Sequence, residues 1–354
     1  MKKRFFLGCL LLALLAALAA CGVETAAPMP PSSAATATAD ASAPPPTDTL
    51  GKAAADAASY ILATVPTPAY GSVGGEWAVL ALCRGGYGDA ALFARYYDNL
   101  VAAVQAAEGV LHARKYTEYA RVVLALTAIG KNPRDVGGYD LLSPLGDFDR
   151  VTAQGLNGAV FALLALDAGE YDIPNAPAGA VQATREAYLA EILTYAVPGG
   201  GFSLDAGADT AEVDITAMAL CALAPYSTDA AVAGVVRDAF LWLSAAQGAG
   251  GDYGSAESCA QVLLALATFG IDCADAHFVK DGKSPLDALL AYAAPGGGYR
   301  HTAEDDGANA MASEQALMAL VSVCRAQAGE SGLYAVSGRK VPPISLAASA
   351  KTND

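Results

Sequence analysis

The chain has 354 residues and a formal net charge of −15 at pH 7, which becomes −18 once Lys2, Lys3 and Arg4 leave with an N-terminal leader. An acidic body of this size repels nucleic acid and anionic lipid headgroups alike, so a nucleic-acid partner is excluded. The only histidines, His112, His277 and His301, have no partner at ligand spacing, and no metal or cofactor is expected.

In chain order, Lys2, Lys3 and Arg4 precede the sixteen mostly apolar residues 5–20. A spanning helix needs roughly 20 residues, so this run reads as an export signal. It closes on Leu18-Ala19-Ala20-Cys21-Gly22, which resembles the lipobox of bacterial lipoproteins. That resemblance implies a signal peptide over residues 1–20, cleavage before Cys21 and lipidation of its thiol. The mature protein would then be exported and held by acylated Cys21 on the outer face of a bacterial membrane. Residues 22–49 are Ala, Pro, Ser and Thr with hardly a large apolar side chain, too little to bury for a fold. Pro28, Pro30, Pro31 and Pro44-Pro45-Pro46 make segment 21–49 an extended tether.

From residue 50 to residue 336 the composition is uniform. Amphipathic helices are expected at 50–65, 89–107, 180–196, 229–247 and 284–294, with Tyr, Leu and Ala on one face and Asp, Arg and Lys on the other. They alternate with helices apolar on nearly every face at 76–85, 117–130, 154–169, 212–223, 257–270 and 314–324. An Ala-Leu pair marks each apolar copy, at Leu82, Leu126, Leu166, Leu223, Leu266 and Leu320, separated by 44, 40, 57, 43 and 54 residues. A repeat of that length is one helical hairpin. Between 132 and 150, Pro133, Gly137-Gly138 and Pro144 leave room for only a short helix. Three connections carry a glycine-aromatic turn: Pro198-Gly199-Gly200-Gly201-Phe202, Gly250-Gly251-Asp252-Tyr253-Gly254 and Pro295-Gly296-Gly297-Gly298-Tyr299. Glycine supplies positive φ there and the aromatic plugs the joint. The ending, 337–354, is polar with Pro342-Pro343 and reads as a flexible tail.

Six units of covering helix, Gly-Gly-aromatic turn and apolar helix resemble the α/α toroid of the prenyltransferase and squalene cyclase repeat superfamily. The fold this implies for about residues 50–336 is all-α, six helical hairpins in an inner and an outer ring. Thr117-Glu118-Tyr119-Ala120-Arg121, Gln154-Gly155-Leu156-Asn157-Gly158, Glu257-Ser258-Cys259-Ala260-Gln261 and Ser313-Glu314-Gln315-Ala316-Leu317 further resemble a subgroup of exported bacterial proteins without an assigned reaction. That subgroup is similar in architecture to the helical domain of the cobalamin carriers. The resemblance implies a fold rather than an activity.

Class II terpene cyclases of the superfamily use a DxDDTA segment. The matching residues here are Glu212-Val213-Asp214-Ile215-Thr216-Ala217, which keep the middle acid as Asp214, flanked by Glu212, and replace the third carboxylate by Ile215. The enzyme this implies is a terpene cyclase or prenyltransferase relative with a degenerate acid motif at Glu212 and Asp214. Protein prenyltransferases hold zinc through Asp-x-Cys and a His. Glu257-Ser258-Cys259 and Ser313-Glu314 stand at those spots, so the histidine is missing. With Cys9 in the leader and Cys21 taking lipid, five thiols remain, mostly inside apolar helices. An odd set of that kind reads as buried free thiols.

Glu76, Glu118, Asp214, Glu257 and Glu314 fall near the starts of apolar helices, which a toroid gathers on one side. Each stabilises its helix by roughly 0.3–1 kcal/mol, and Asp209 with Glu212 has capping-box spacing. With Trp77, Tyr119 and Asn157, the same side chains also make a candidate ligand-binding rim. Aromatics among carboxylates suit a cationic or amphipathic small molecule, and equally suit packing between repeats. The expected function is therefore binding. The partners are the lipid bilayer, through Cys21, and a small molecule, cobalamin-like or terpenoid, or a surface partner. The alternative is the enzyme.

Overall fold

The structure, a computed structural model, describes residues 47–344 and 346. The expected signal peptide, Cys21 and most of the tether lie outside the described residues. The α-helices are α1 Thr47–Thr64, α2 Trp77–Arg84, α3 Ala90–Ala106, α4 Thr117–Ala128, α5 Phe148–Thr152, α6 Leu156–Ala168, α7 Arg185–Leu193, α8 Val213–Leu223, α9 Ala230–Ala246, α10 Ala256–Thr268, α11 Pro285–Ala291 and α12 Ala310–Gln327. Among the described residues there is no strand, only isolated antiparallel bridges, and the chain is all-α. No helix among them is long and apolar enough to cross a membrane.

Six helices bury almost everything they carry. In α10 every residue from Ala256 to Ala267 is buried except Ser258. Each fully buried Val or Leu contributes about 1.5–3 kcal/mol relative to exposure, so such a helix gains by being covered all round. The cover is mutual: α2 packs on α4, α4 on α6, α6 on α8, α8 on α10, α10 on α12, and α12 on α2. A second set covers them, with α7 against α6, α9 against α8 and α11 against α10. The first helix of the described chain, α1, lies on the last, α12. Where Pro133, Gly137-Gly138 and Pro144 left room for little helix, there is one 3-10 turn, Ser143–Gly146, followed by the five-residue α5.

The glycine-aromatic turns show why they are glycine. Gly200, Gly251 and Gly297 all have positive φ. A Cβ on Gly200 would lie 2.5 Å from the Asp238 carbonyl oxygen of α9, one on Gly297 would lie 2.5 Å from that of Asp56 in α1, and one on Gly251 would crowd that of Ser284 just before α11. Each turn thus lies directly on the backbone of a covering helix or its cap. The aromatics Phe202 and Tyr299 are buried. Their N–H groups donate to Thr216 Oγ1 of α8 at 2.9 Å and Ser313 Oγ of α12 at 2.8 Å. We expect Gly297→Ala to cost roughly 1–3 kcal/mol, because it adds strain at positive φ to a clash with backbone. Urea unfolding would show this as a lower midpoint at unchanged slope. A midpoint equal to the parent's would remove the turn from the account.

One expectation needs correcting. The Asp209–Glu212 capping box does not form: Glu212 is itself the N-cap of α8 and gives no side-chain cap. Its N–H instead donates to Phe202 O, which fixes the helix start to the preceding turn. Residues 331–339 are tied to the core helices. Leu333 is fully buried, Ser337 N–H donates to Ala168 O, and Arg339 donates to Pro225 O. Arg84, at the end of α2, donates to the carbonyls of Gly332, Leu333 and Ala335 and to Ser331 Oγ. Segment 331–339 therefore straps across the C-terminal ends of the core helices.

Candidate functional site

The starts of the core helices meet at the other end. There Glu76, just ahead of α2, is fully buried, and Arg121 of α4 explains how a carboxylate survives that burial. Arg121 Nε donates to Glu76 Oε2 at 2.8 Å and its Nη2 donates to Glu118 Oε2 at 2.5 Å. Tyr96 of α3 donates to Glu76 Oε1 at 3.1 Å, and Tyr70 to Glu118 Oε2 at 3.0 Å. Burial pushes Glu76 upward, while the guanidinium, the Gly71 N–H and the Tyr96 hydroxyl pull it down. Burial works against the charge on Arg121, yet Glu76 and Glu118 together hold it above its ordinary range. This cluster joins α2, α3 and α4, and its carboxylates are spoken for.

Glu314 of α12 is different. Its Oε1 accepts the Gly74 N–H at 2.7 Å, but Oε2 is buried with no partner. Burial raises its pKa to about 7 against the pull of Gly74, and the nearby Glu76 charge adds to the rise. The donor Gly74 sits at φ 74° in the irregular turn Ser72–Glu76, where Val73 is exposed.

Near the starts of the otherwise buried core helices, Trp77 on α2, Asn157 and Phe161 on α6, Asp214 and Met218 on α8, Ser258 on α10, and Met311 and Gln315 on α12 keep some exposure, as do Thr117, Glu118, Val213 and Ala310. Positions four apart share a helix face. Trp77 meets Phe161, ring centroids 5.8 Å apart, although α4 lies between α2 and α6 in the order of packing. Trp77 of α2 and Phe161 of α6 therefore reach one another past α4. Gln261 of α10 donates to Gln315 Oε1 at 3.0 Å. Asn157 Oδ1 and Asp214 Oδ1 are buried without a partner. With Glu314 Oε2 they make three of the five such side-chain atoms among the described residues, the others being Ser227 Oγ and Gln247 Oε1. Burial raises Asp214, and the Ser258 hydroxyl and His301 act in the opposite direction.

The expected rim residues thus separate. Asn157, Asp214 and Trp77 keep partial exposure, while Glu76 and Glu118 are bound up with Arg121. Tyr119 is buried against Tyr116, centroids 5.5 Å apart. Glu257 Oε2 is 2.8 Å from His301 Nδ1. Glu212 is exposed and accepts from Leu204 N–H at 3.3 Å, apart from Asp214. Cys259, whose thiol is pushed up by burial, donates to Asp252 Oδ1 at 3.3 Å rather than sharing a partner with Glu257. Among the described residues no trio of His, Cys, Asp or Glu is placed to hold a metal ion, and the five cysteines there are free. Phe161, Met218, Met311 and Gln315 had not been singled out in the sequence. Phe161 and Met218 stand four residues from Asn157 and Asp214, Gln315 adjoins Glu314, and Met311 lies three before Glu314.

Two cavities open at the strapped end. One, of about 150 Å³, lies between α10 and α12 with Leu263, Leu266, Ile271, Cys273 and Val323 in its walls. The other, about 40 Å³, lies under Tyr334 and Val341. Neither is lined by an unpartnered buried polar side chain that would orient a polar ligand. Compared with family models, curated proteins and solved structures, the chain matches none.

Proposed function

We propose that the protein is an exported, lipid-anchored α/α toroid of the prenyltransferase and squalene cyclase repeat type, which binds a small molecule in a central recess at the start of its six inner helices. The packing order that leads from α2 back to α2 supports the closed arrangement. Attachment of α1 to α12 supplies its seam. The observation that carries the binding reading is the pair of unpartnered acceptors, Asn157 Oδ1 and Asp214 Oδ1, on partly exposed residues. A buried polar atom without a partner costs about 1–3 kcal/mol, and a ligand that supplies a donor recovers it.

Native mass spectrometry of the full chain extracted from its own membrane tests this. We expect a co-purified small molecule that is lost from the Asp214→Asn and Asn157→Leu variants while both remain folded. Bare polypeptide from the parent would sink the proposal. The rival reading, acid chemistry on a terpenoid, has the raised pKa of Asp214 in its favour. Its second carboxylate, Glu212, stands outside, and turnover abolished by Asp214→Asn would decide for it.

A further inference from the structure

We infer that the ligand of this recess is an organic cation, with Asp214 as its counter-ion, Asn157 Oδ1 as acceptor for its N–H, and the Trp77 and Phe161 rings with the Met218 and Met311 thioethers as its walls. This rests on the binding reading above and narrows it to one chemical class. Both unpartnered oxygens are acceptors, so the ligand brings donors. No cationic side chain bonds Asp214 directly among the described residues: Arg121 is engaged by Glu76 and Glu118, and His301, which acts on Asp214 only through its field, is held by Glu257 at 2.8 Å. A buried carboxylate left unpaired is the costly state, and a cation beside it relieves the cost. A neutral polyol would satisfy the acceptors and leave that charge uncompensated.

The walls choose an organic cation over a metal ion. A metal needs several oxygen, nitrogen or sulfur ligands at once, and among the described residues no such trio of His, Cys, Asp or Glu exists. Instead, the Phe161 ring stands one turn from Asn157 on α6, and the Trp77 ring lies 5.8 Å from it. Ring faces attract ammonium groups, and flexible thioethers fill space around an alkyl or aryl body.

The test is isothermal titration of the full chain in detergent micelles with three isosteric probes: 2-phenylethylammonium, 2-phenylethanol and phenylacetate. We expect the ammonium to bind at least tenfold more tightly than the alcohol, and phenylacetate to bind more weakly than both. Asp214→Asn should erase the ammonium preference without lowering the melting temperature. Phe161→Leu should weaken the ammonium more than the alcohol. Equal affinity for ammonium and alcohol, or a preference that survives Asp214→Asn, overturns the inference. So does a neutral or anionic co-purified molecule, but that result leaves the binding reading standing. Failure of all three probes together with bare native protein removes both.

Discussion

Replacing Arg121 with methionine will cost about 3–5 kcal/mol of stability, the usual penalty for stranding one partner of a buried ion pair. Glu76 is fully buried and Arg121 nearly so, and the guanidinium is the only positive charge bonded to that carboxylate. Without it, Glu76 must either keep an unpaired charge or take up a proton, and both weaken the joint between α2, α3 and α4. Pairing Arg121→Met with Glu76→Gln will recover most of the loss, because the amide oxygen still accepts from Tyr96 and Gly71 while the charge is gone. Urea unfolding of the parent, the single and the double variant measures this directly. A single variant as stable as the parent would mean the cluster is incidental.

Glu314→Gln will change how stability depends on pH. The folded-state pKa of Glu314 is raised from 4.5 to about 7. Between those values the folded chain holds a proton that the unfolded chain has released, so stability falls as pH rises through that window. A shift of this size is worth about 3 kcal/mol, fully felt above pH 7 and absent below about pH 4.5. We expect the variant to match the parent near pH 4.5 and to exceed it by up to about 3 kcal/mol at pH 8. The Gly74 N–H keeps an acceptor in the amide oxygen, so the turn Ser72–Glu76 should hold. Groups other than Glu76, whose charge acts on Glu314, contribute equally to both chains and cancel in the difference. Parallel profiles would contradict the assignment.

The all-α character and the buried helices were legible because a helix apolar on every side can only sit inside others. Their ends were close: 154–169 was expected where Leu156–Ala168 is found, and 314–324 where α12 runs Ala310–Gln327. Arg121 was not legible. An arginine at that position has no sign in the sequence of a partner 45 residues away. The partly exposed residues were half legible, since Asn157 and Asp214 stood out as polar in apolar helices, while Phe161, Met218 and Met311 looked like any core residue. Which face of a uniformly apolar helix looks inward depends on rotation about its own axis, and composition does not encode that. The strap over 331–339 was hidden for a related reason: its hold comes from Arg84 bonding backbone carbonyls, which any sequence supplies.

Single cysteines at interior and core positions would test the central recess most directly. Met218→Cys and Gln315→Cys lie at partly exposed positions, while Leu220→Cys and Leu317→Cys lie on buried faces of the same helices α8 and α12. With peptide mapping to separate the native thiols, a water-soluble maleimide should label the first pair in the folded protein. It should label the second pair only after unfolding. Met218→Cys and Gln315→Cys as unreactive as their buried neighbours would show a closed interior and contradict the account.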